Sequence, residues 1–226
     1  MRYTRYDLKK KKKKNNNKIF FAIFAIMVIS AVVLGTAISK FTIKGPSNST
    51  SSEKVNSKPV KFIAIQGGMY AKTENADKEK AVLALYGNPF IIIDGNLNRV
   101  FSGIYLEDTF QNIIDALNKN DKSNSKMIFT LNKKDLCDAE IAEIVSANIK
   151  ILSKLTESEV RAVQTQEFKA WTSSLKKVDG SSKNIKVLND LEDYVGKLPA
   201  ELTKDKAADN YIFLYNILKN ICTISK

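Results

Sequence analysis

The chain of 226 residues carries 36 lysines and arginines against 24 acidic residues, a formal charge of +12, and no histidine. Without histidine, Ser-His-Asp triads and His-ligated metal sites are excluded. Nine of the positive charges lie in residues 1–18 against Asp7 alone, so the other 208 residues carry only +4. That is too weak a field for a strong nucleic-acid binder. The asymmetry marks residues 1–18 as a basic tail with its own role.

Residues 19–39 follow without a single charge: IFFAIFAIMVISAVVLGTAIS. As a helix they would span roughly 31 Å, the hydrocarbon thickness of a bilayer. This predicts a single N-terminal transmembrane helix. The rival reading is a cleaved signal peptide, for which Gly35-Thr36-Ala37 offers a small-x-small site. The lysine run places the N-terminus in the cytoplasm and all that follows outside the cell membrane. It also supplies anionic-lipid contacts worth about 1 kcal/mol per charge near the surface. Residues 40–58, rich in Ser with Gly45-Pro46 and no apolar period, read as a flexible linker of roughly 24 Å r.m.s. span.

Residues 59–134 alternate between strand and helix periods. Phe62-Ile63-Ala64-Ile65-Gln66 reads as a strand. A helix capped at Thr73 runs to Tyr86, where Gly87-Asn88-Pro89 stops it. Phe90-Ile91-Ile92-Ile93 is a second strand, and Asp94-Gly95-Asn96 signals a hairpin into the return strand 98–103. Glu107 and Asp108 open a second helix bearing Phe110, Ile113, Ile114 and Leu117 on one stripe. Met127-Ile128-Phe129-Thr130-Leu131 is the last strand. The predicted fold class is α+β: a four-stranded antiparallel sheet of βαββαβ (ferredoxin/RNP-like) topology, with both helices on one face and the other face open.

From residue 135 to 226 the period is helical. Ile141, Ile144, Val145, Asn148, Leu152 and Leu155 trace one stripe. Thr156-Glu157-Ser158-Glu159 reads as a capping box for a second helix carrying Val160, Val163, Phe168, Trp171, Leu175 and Val178. A third helix runs over 184–195, and a fourth carries Tyr211, Leu214, Tyr215, Leu218, Ile221 and Cys222. Together they predict an antiparallel helical bundle following the sheet domain, with Trp171 in its core. Cys137 and Cys222 are the only cysteines. They admit either a disulfide or two small buried thiols.

Two stretches rhyme. Ile65-Gln66-Gly67-Gly68-Met69-Tyr70 and Arg99-Val100-Phe101-Ser102-Gly103-Ile104-Tyr105 each place a polar residue mid-strand and end in Gly-x-Tyr. If Ile63, Ile65 and Val100 face the two helices, parity sends Phe62, Ala64, Gln66, Arg99 and Phe101 to the open face. Rings, an amide and a guanidinium suit a neutral polar polymer.

Residues 59–134 resemble the SPOR (sporulation-related repeat) domain of bacterial envelope proteins. The resemblance rests on Gln66, Gly68 and Tyr70 in the first strand, and on Arg99, Val100, Gly103 and Tyr105 in the later one. Asn75-Ala76 opens the first helix as in that family. Ile104 departs from it, standing where the family usually has proline. The resemblance implies binding to peptidoglycan glycan strands stripped of stem peptides at division or sporulation septa, without cleavage. Gln66 and Arg99 would be groove residues by similarity, and Phe62 and Phe101 by parity. Tyr70 and Tyr105 would close the rim and touch glycan secondarily.

No catalytic constellation, phosphate-binding loop or cofactor motif is present in the sequence, so a non-enzymatic protein without cofactors is expected. Two rivals share the same fold. A protein-interaction scaffold would use the C-terminal helices to dock division or sporulation proteins. An RNA-binding sheet would stack bases on its open-face aromatics, but an extracytoplasmic location disfavours nucleic acid as a partner.

Overall fold

Strand and helix periods set the chain path in the computed structural model, which describes residues 58–175 and 178–225. The first six elements are β1 (Val60–Tyr70), α1 (Thr73–Leu83), β2 (Phe90–Asp94), β3 (Leu97–Leu106), α2 (Phe110–Lys119) and β4 (Ser125–Leu131). This is the βαββαβ order. The turn between β2 and β3 has two residues, with Gly95 at φ +61° in its first position. Glycine there gives the strands their matching twist.

The sequence expectation of four strands, an open face and a separate bundle is corrected. The sheet has five strands, in the order β2-β3-β1-β4-β7, because the last residues, β7 (Thr223–Ser225), pair antiparallel with β4. Helices α1 and α2 cover one face, burying Ile63, Ile65, Val100 and Tyr105 of the strands against Ala76, Leu83, Ile114 and Leu117. The other face is not open. Phe62, Ala64, Phe90, Ile92, Phe101, Ile104, Met127 and Phe129 belong to one continuous core with residues of the C-terminal helices. The architecture is therefore helix layer, sheet, helix layer.

The second helical layer is built from α3 (Leu136–Lys154), α4 (Gln166–Ser173), α5 (Ile185–Lys197) and α6 (Lys204–Ile221). The Asp135 carboxylate accepts the Asp138 N–H at 2.8 Å and so caps α3. The capping box expected at 156–159 does not start a helix. The chain turns there, forms the short strand β5 (Ala162–Gln164) against β6 (Glu201–Thr203), and only then enters α4. Apolar residues at Val160 and Val163 pack on the core from non-helical backbone, which mimics a helical stripe in the sequence.

Two side chains one turn apart on α6 hold the layers together. The Tyr211 ring stacks on Phe90, with centroids 5.4 Å apart and planes at 15°. Phe90 in turn stacks on Phe101 at 5.2 Å. Tyr215 lies 5.3 Å from Phe101 and meets Phe129 edge-on at 5.4 Å. The Tyr215 hydroxyl donates to Met127 Sδ at 3.5 Å. Each large apolar side chain so buried contributes about 1.5–3 kcal/mol. Uncovering Phe62, Phe90, Phe101, Ile104 and Phe129 together would cost on the order of 10 kcal/mol, comparable to the net stability of a domain. The C-terminal layer is a structural half of the fold, not a lid.

Among the described residues no helix is long and apolar enough to cross a membrane. This stands against the single spanning helix of the expected architecture. That segment, residues 19–39, lies outside the described residues, as do the basic tail 1–18 and nearly all of the linker 40–58. Cys137 and Cys222 are free thiols, and burial pushes each up to about 12, with the Asp135 and Asp138 carboxylates adding to the effect on Cys137 and Asp138 on Cys222.

Candidate functional site

Parity places the polar residues of the two rhyming strands together. Arg99 Nη1 donates to Gln66 Oε1 at 3.1 Å, and Arg99 Nε donates to Asp94 Oδ2 at 2.7 Å. The register explains why. Ile92 stands opposite Arg99, so Asp94, two residues along the same strand face, is its diagonal neighbour. Arg99 keeps 16% of its side-chain surface exposed and Asp94 44%. The guanidinium is thus held flat between an amide and a carboxylate, with an outer edge toward solvent.

The C-terminal layer reaches this cluster. The Tyr215 phenol is raised above its ordinary range, first by burial; Arg99 pulls it down and Asp94 pushes it up. All three side chains therefore share one environment at the margin where α6 meets the sheet.

The other expected site residues lie elsewhere. Phe62 and Phe101 share the face of Gln66 and Arg99, but each is 0% exposed beneath the C-terminal helices. They are core, because the aromatic rings of α6 occupy the surface that parity assigned to a ligand. Tyr105 is buried on the opposite face, with α1 and α2, and burial pushes its phenol up to about 12. Tyr70 lies at the rim of that same opposite face, its phenol raised by burial and by Glu79.

The Gly-x-Tyr endings have a packing explanation. A Cβ on Gly103 would come within 2.7 Å of the Tyr105 hydroxyl oxygen and 2.9 Å of its ring. A Cβ on Gly68 would come within 2.6 Å of the Tyr70 hydroxyl oxygen and 2.8 Å of its ring. In both strands the tyrosine folds back over the glycine two residues before it. The missing side chain makes room for the strand's own ring.

Ile104, where the rhyme departs from the SPOR pattern, is fully buried in the core shared with the C-terminal helices. Between Ile65 and Gly68 the β1–β3 register slips twice, leaving Ser102 and Gly67 unpaired. The slip past Ser102 lets Phe101 and Ile104 both point into the C-terminal layer.

Sequence reasoning missed Asp94 and Tyr215. The hairpin signal at Asp94-Gly95 carried enough to find the first, since a two-residue turn fixes the register that brings Asp94 beside Arg99. Nothing local announces Tyr215. Around the same end of the sheet stand three exposed apolar side chains: Ile93 at 78%, Met69 at 45% and Leu97 at 36%. Met69 of β1 pairs with Arg99, Ile93 with Asn98 and Leu97 with Asp94, so Met69 and Leu97 share the face of Arg99 at the hairpin end and Ile93 lies on the other face.

A groove of about 430 Å³ lies between α4 and α5, walled by Lys169, Thr172, Leu188, Asn189 and Glu192 among others. It shares no residue with the Gln66–Arg99–Asp94 cluster. Among the described residues no group of three or more acidic or cysteine side chains is placed to hold a metal ion. Comparison of the chain with family models, curated proteins and solved structures gives no match.

Proposed function

We propose that residues 58–225 form a non-enzymatic protein-interaction module of the bacterial envelope, built on a SPOR-like frame and docking its partner at the hairpin end of the sheet. One observation carries this reading: Phe62 and Phe101 are completely buried under α6. A sugar ring or a base stacks best on an exposed aromatic plane, and among the described residues no aromatic side chain of the sheet is exposed, Tyr70 at the rim being half-buried. The hairpin end instead presents Met69 and Leu97 on the face of a fixed arginine, with Ile93 exposed on the other face. Exposed apolar area beside an arginine is the composition of protein interfaces.

A second reading keeps the glycan. The convergence of Gln66, Arg99 and Asp94 at the sheet margin favours it. An amide, a guanidinium edge and a carboxylate can together pair with sugar hydroxyls without any stacking ring. The partner would then be a denuded glycan strand touched edge-on.

Pelleting with sacculi separates the two. The full chain and its Gln66→Ala/Arg99→Ala variant are mixed with amidase-treated and intact sacculi. The interaction-module reading expects equal, background pelleting in all four mixtures. Selective pelleting of the wild type with amidase-treated sacculi, lost in the variant, would establish glycan binding instead.

A further inference from the structure

We propose that the outer edge of β2 is a self-pairing surface, which joins two copies of this chain through antiparallel β2–β2 hydrogen bonding about a two-fold axis at Ile92. This rests on the reading of the hairpin end as an interaction surface and names its partner.

The two sheet edges differ. One is β7, three exposed residues that include Thr223 and Ser225. The other is β2, five residues long, with neither charge nor proline from Phe90 to Ile93. Exposed edges in stable proteins are usually shortened, charged or interrupted by proline, because their free N–H and C=O groups recruit another strand. β7 meets that condition by its length. β2 does not, and its Ile93 is 78% exposed.

Hairpin geometry fixes which groups β2 offers. Asp94 and Leu97 flank the two-residue turn and form a hydrogen-bonded pair, and pair types then alternate along the ladder. Ile93 and Ile91 are therefore the residues whose N–H and C=O point away from β3. Among the described residues, no backbone hydrogen bond outside the regular elements involves Ile91 or Ile93.

The strand is its own complement. With Ile92 opposite Ile92 of the second copy, Ile91 meets Ile93 of the second copy and Ile93 meets its Ile91. Every outward donor then finds an acceptor, four bonds in all by the alternation rule. Shifting the register by two residues in one direction sets Ile93 against Pro89, which has no N–H, and in the other sets Ile91 against Gly95 in the turn. Only the centred register uses the whole edge. It opposes apolar to apolar side chains and brings no like charges face to face, since Asp94 falls opposite Phe90 of the second copy. Such an isologous contact closes on itself and gives a dimer, not a fibre.

Sedimentation equilibrium on the full chain tests this. The wild type is expected to be dimeric. Ile93→Lys puts a charge on an already exposed position, and Ile93→Pro removes an outward N–H that β3 does not use. Each is expected to weaken association by about tenfold or more, which is 1.4 kcal/mol or more. Thr223→Lys, on the opposite edge, is expected to associate as the wild type does. A wild type that stays monomeric, or a dimer as tight in both Ile93 variants, would overturn the proposal. Either result would leave the sacculus comparison, and with it the interaction-module reading, to stand or fall separately.

Discussion

The two faces of one sheet are solved differently, although their residues alternate along the same strands. Toward α1 and α2, the strands offer glycine and tyrosine, and each ring folds back over its own strand to fill the space. Toward the C-terminal helices, the strands offer phenylalanine and isoleucine, and the filling comes from Tyr211 and Tyr215 of α6. The first face is sealed by elements that lie between its strands in sequence. The second waits for residues 86 to 121 positions downstream. A face can be apolar and aromatic without being a binding surface when the chain carries its own cover far away.

The sharpest way to break this comparison is to remove the cover. A chain ending at residue 134 keeps every element of the βαββαβ unit but none of α3 to β7. We expect it to lose cooperative unfolding and to bind a hydrophobic dye, as read by calorimetry and fluorescence. A cooperative melt at the wild-type temperature would mean that the second face tolerates water. Next in size come the neighbours Val100 and Phe101, buried on opposite faces. Phe101→Ala should cost about 3–5 kcal/mol in urea unfolding. Val100→Ala should cost clearly less, because fewer atoms leave the core. Equal losses would show the two layers to be equally demanding.

Gly103→Ala probes the tyrosine fold-back. The new methyl group displaces the Tyr105 ring, for an expected cost of about 1–3 kcal/mol. Pairing it with Tyr105→Leu should recover part of the loss, a coupling that a double-mutant cycle measures directly. Alkaline pH acts on both layers. Cys137, Cys222, Tyr105 and Tyr194 are each raised to about 12 in the folded chain. Their neutral, protonated forms are favoured by folding, so this contribution is complete below the unfolded values near 9 and 10. It is lost as pH rises through 12. Stability measured by urea midpoint should therefore fall from pH 9 upward, and slope less steeply in a Cys137→Ala/Cys222→Ala variant. The smallest effect belongs to Asp94→Asn. Half-exposed and screened by salt, the pair with Arg99 should be worth under about 1 kcal/mol and less at high ionic strength.

Much of the first layer was legible. The order of β1 to β4, the hairpin at Gly95 and the shared parity of Phe62, Gln66, Arg99 and Phe101 all follow from local periods and one turn. The covering of the second face did not follow from any motif, yet a signal for it was present. Phe90-Ile91-Ile92-Ile93 and Phe62-Ile63-Ala64-Ile65 are apolar at every position, not at alternate ones. Strands with one wet face alternate, and unbroken apolar runs mark strands buried on both sides. Ile104 in place of proline pointed the same way. The cluster was half legible: Gln66 and Arg99 stood out as polar residues mid-strand, whereas Tyr215 meets them only through tertiary packing that no spacing in the sequence encodes.

The covering of the sheet's second face by α6 has a consequence for how the protein is made. That face can be finished only after Tyr211 and Tyr215 have left the ribosome. Until then Phe62, Phe90, Phe101 and Phe129 belong to a nascent chain with no cover of its own. A ribosome stalled before α6 emerges would display a greasy sheet rather than a protein missing one helix.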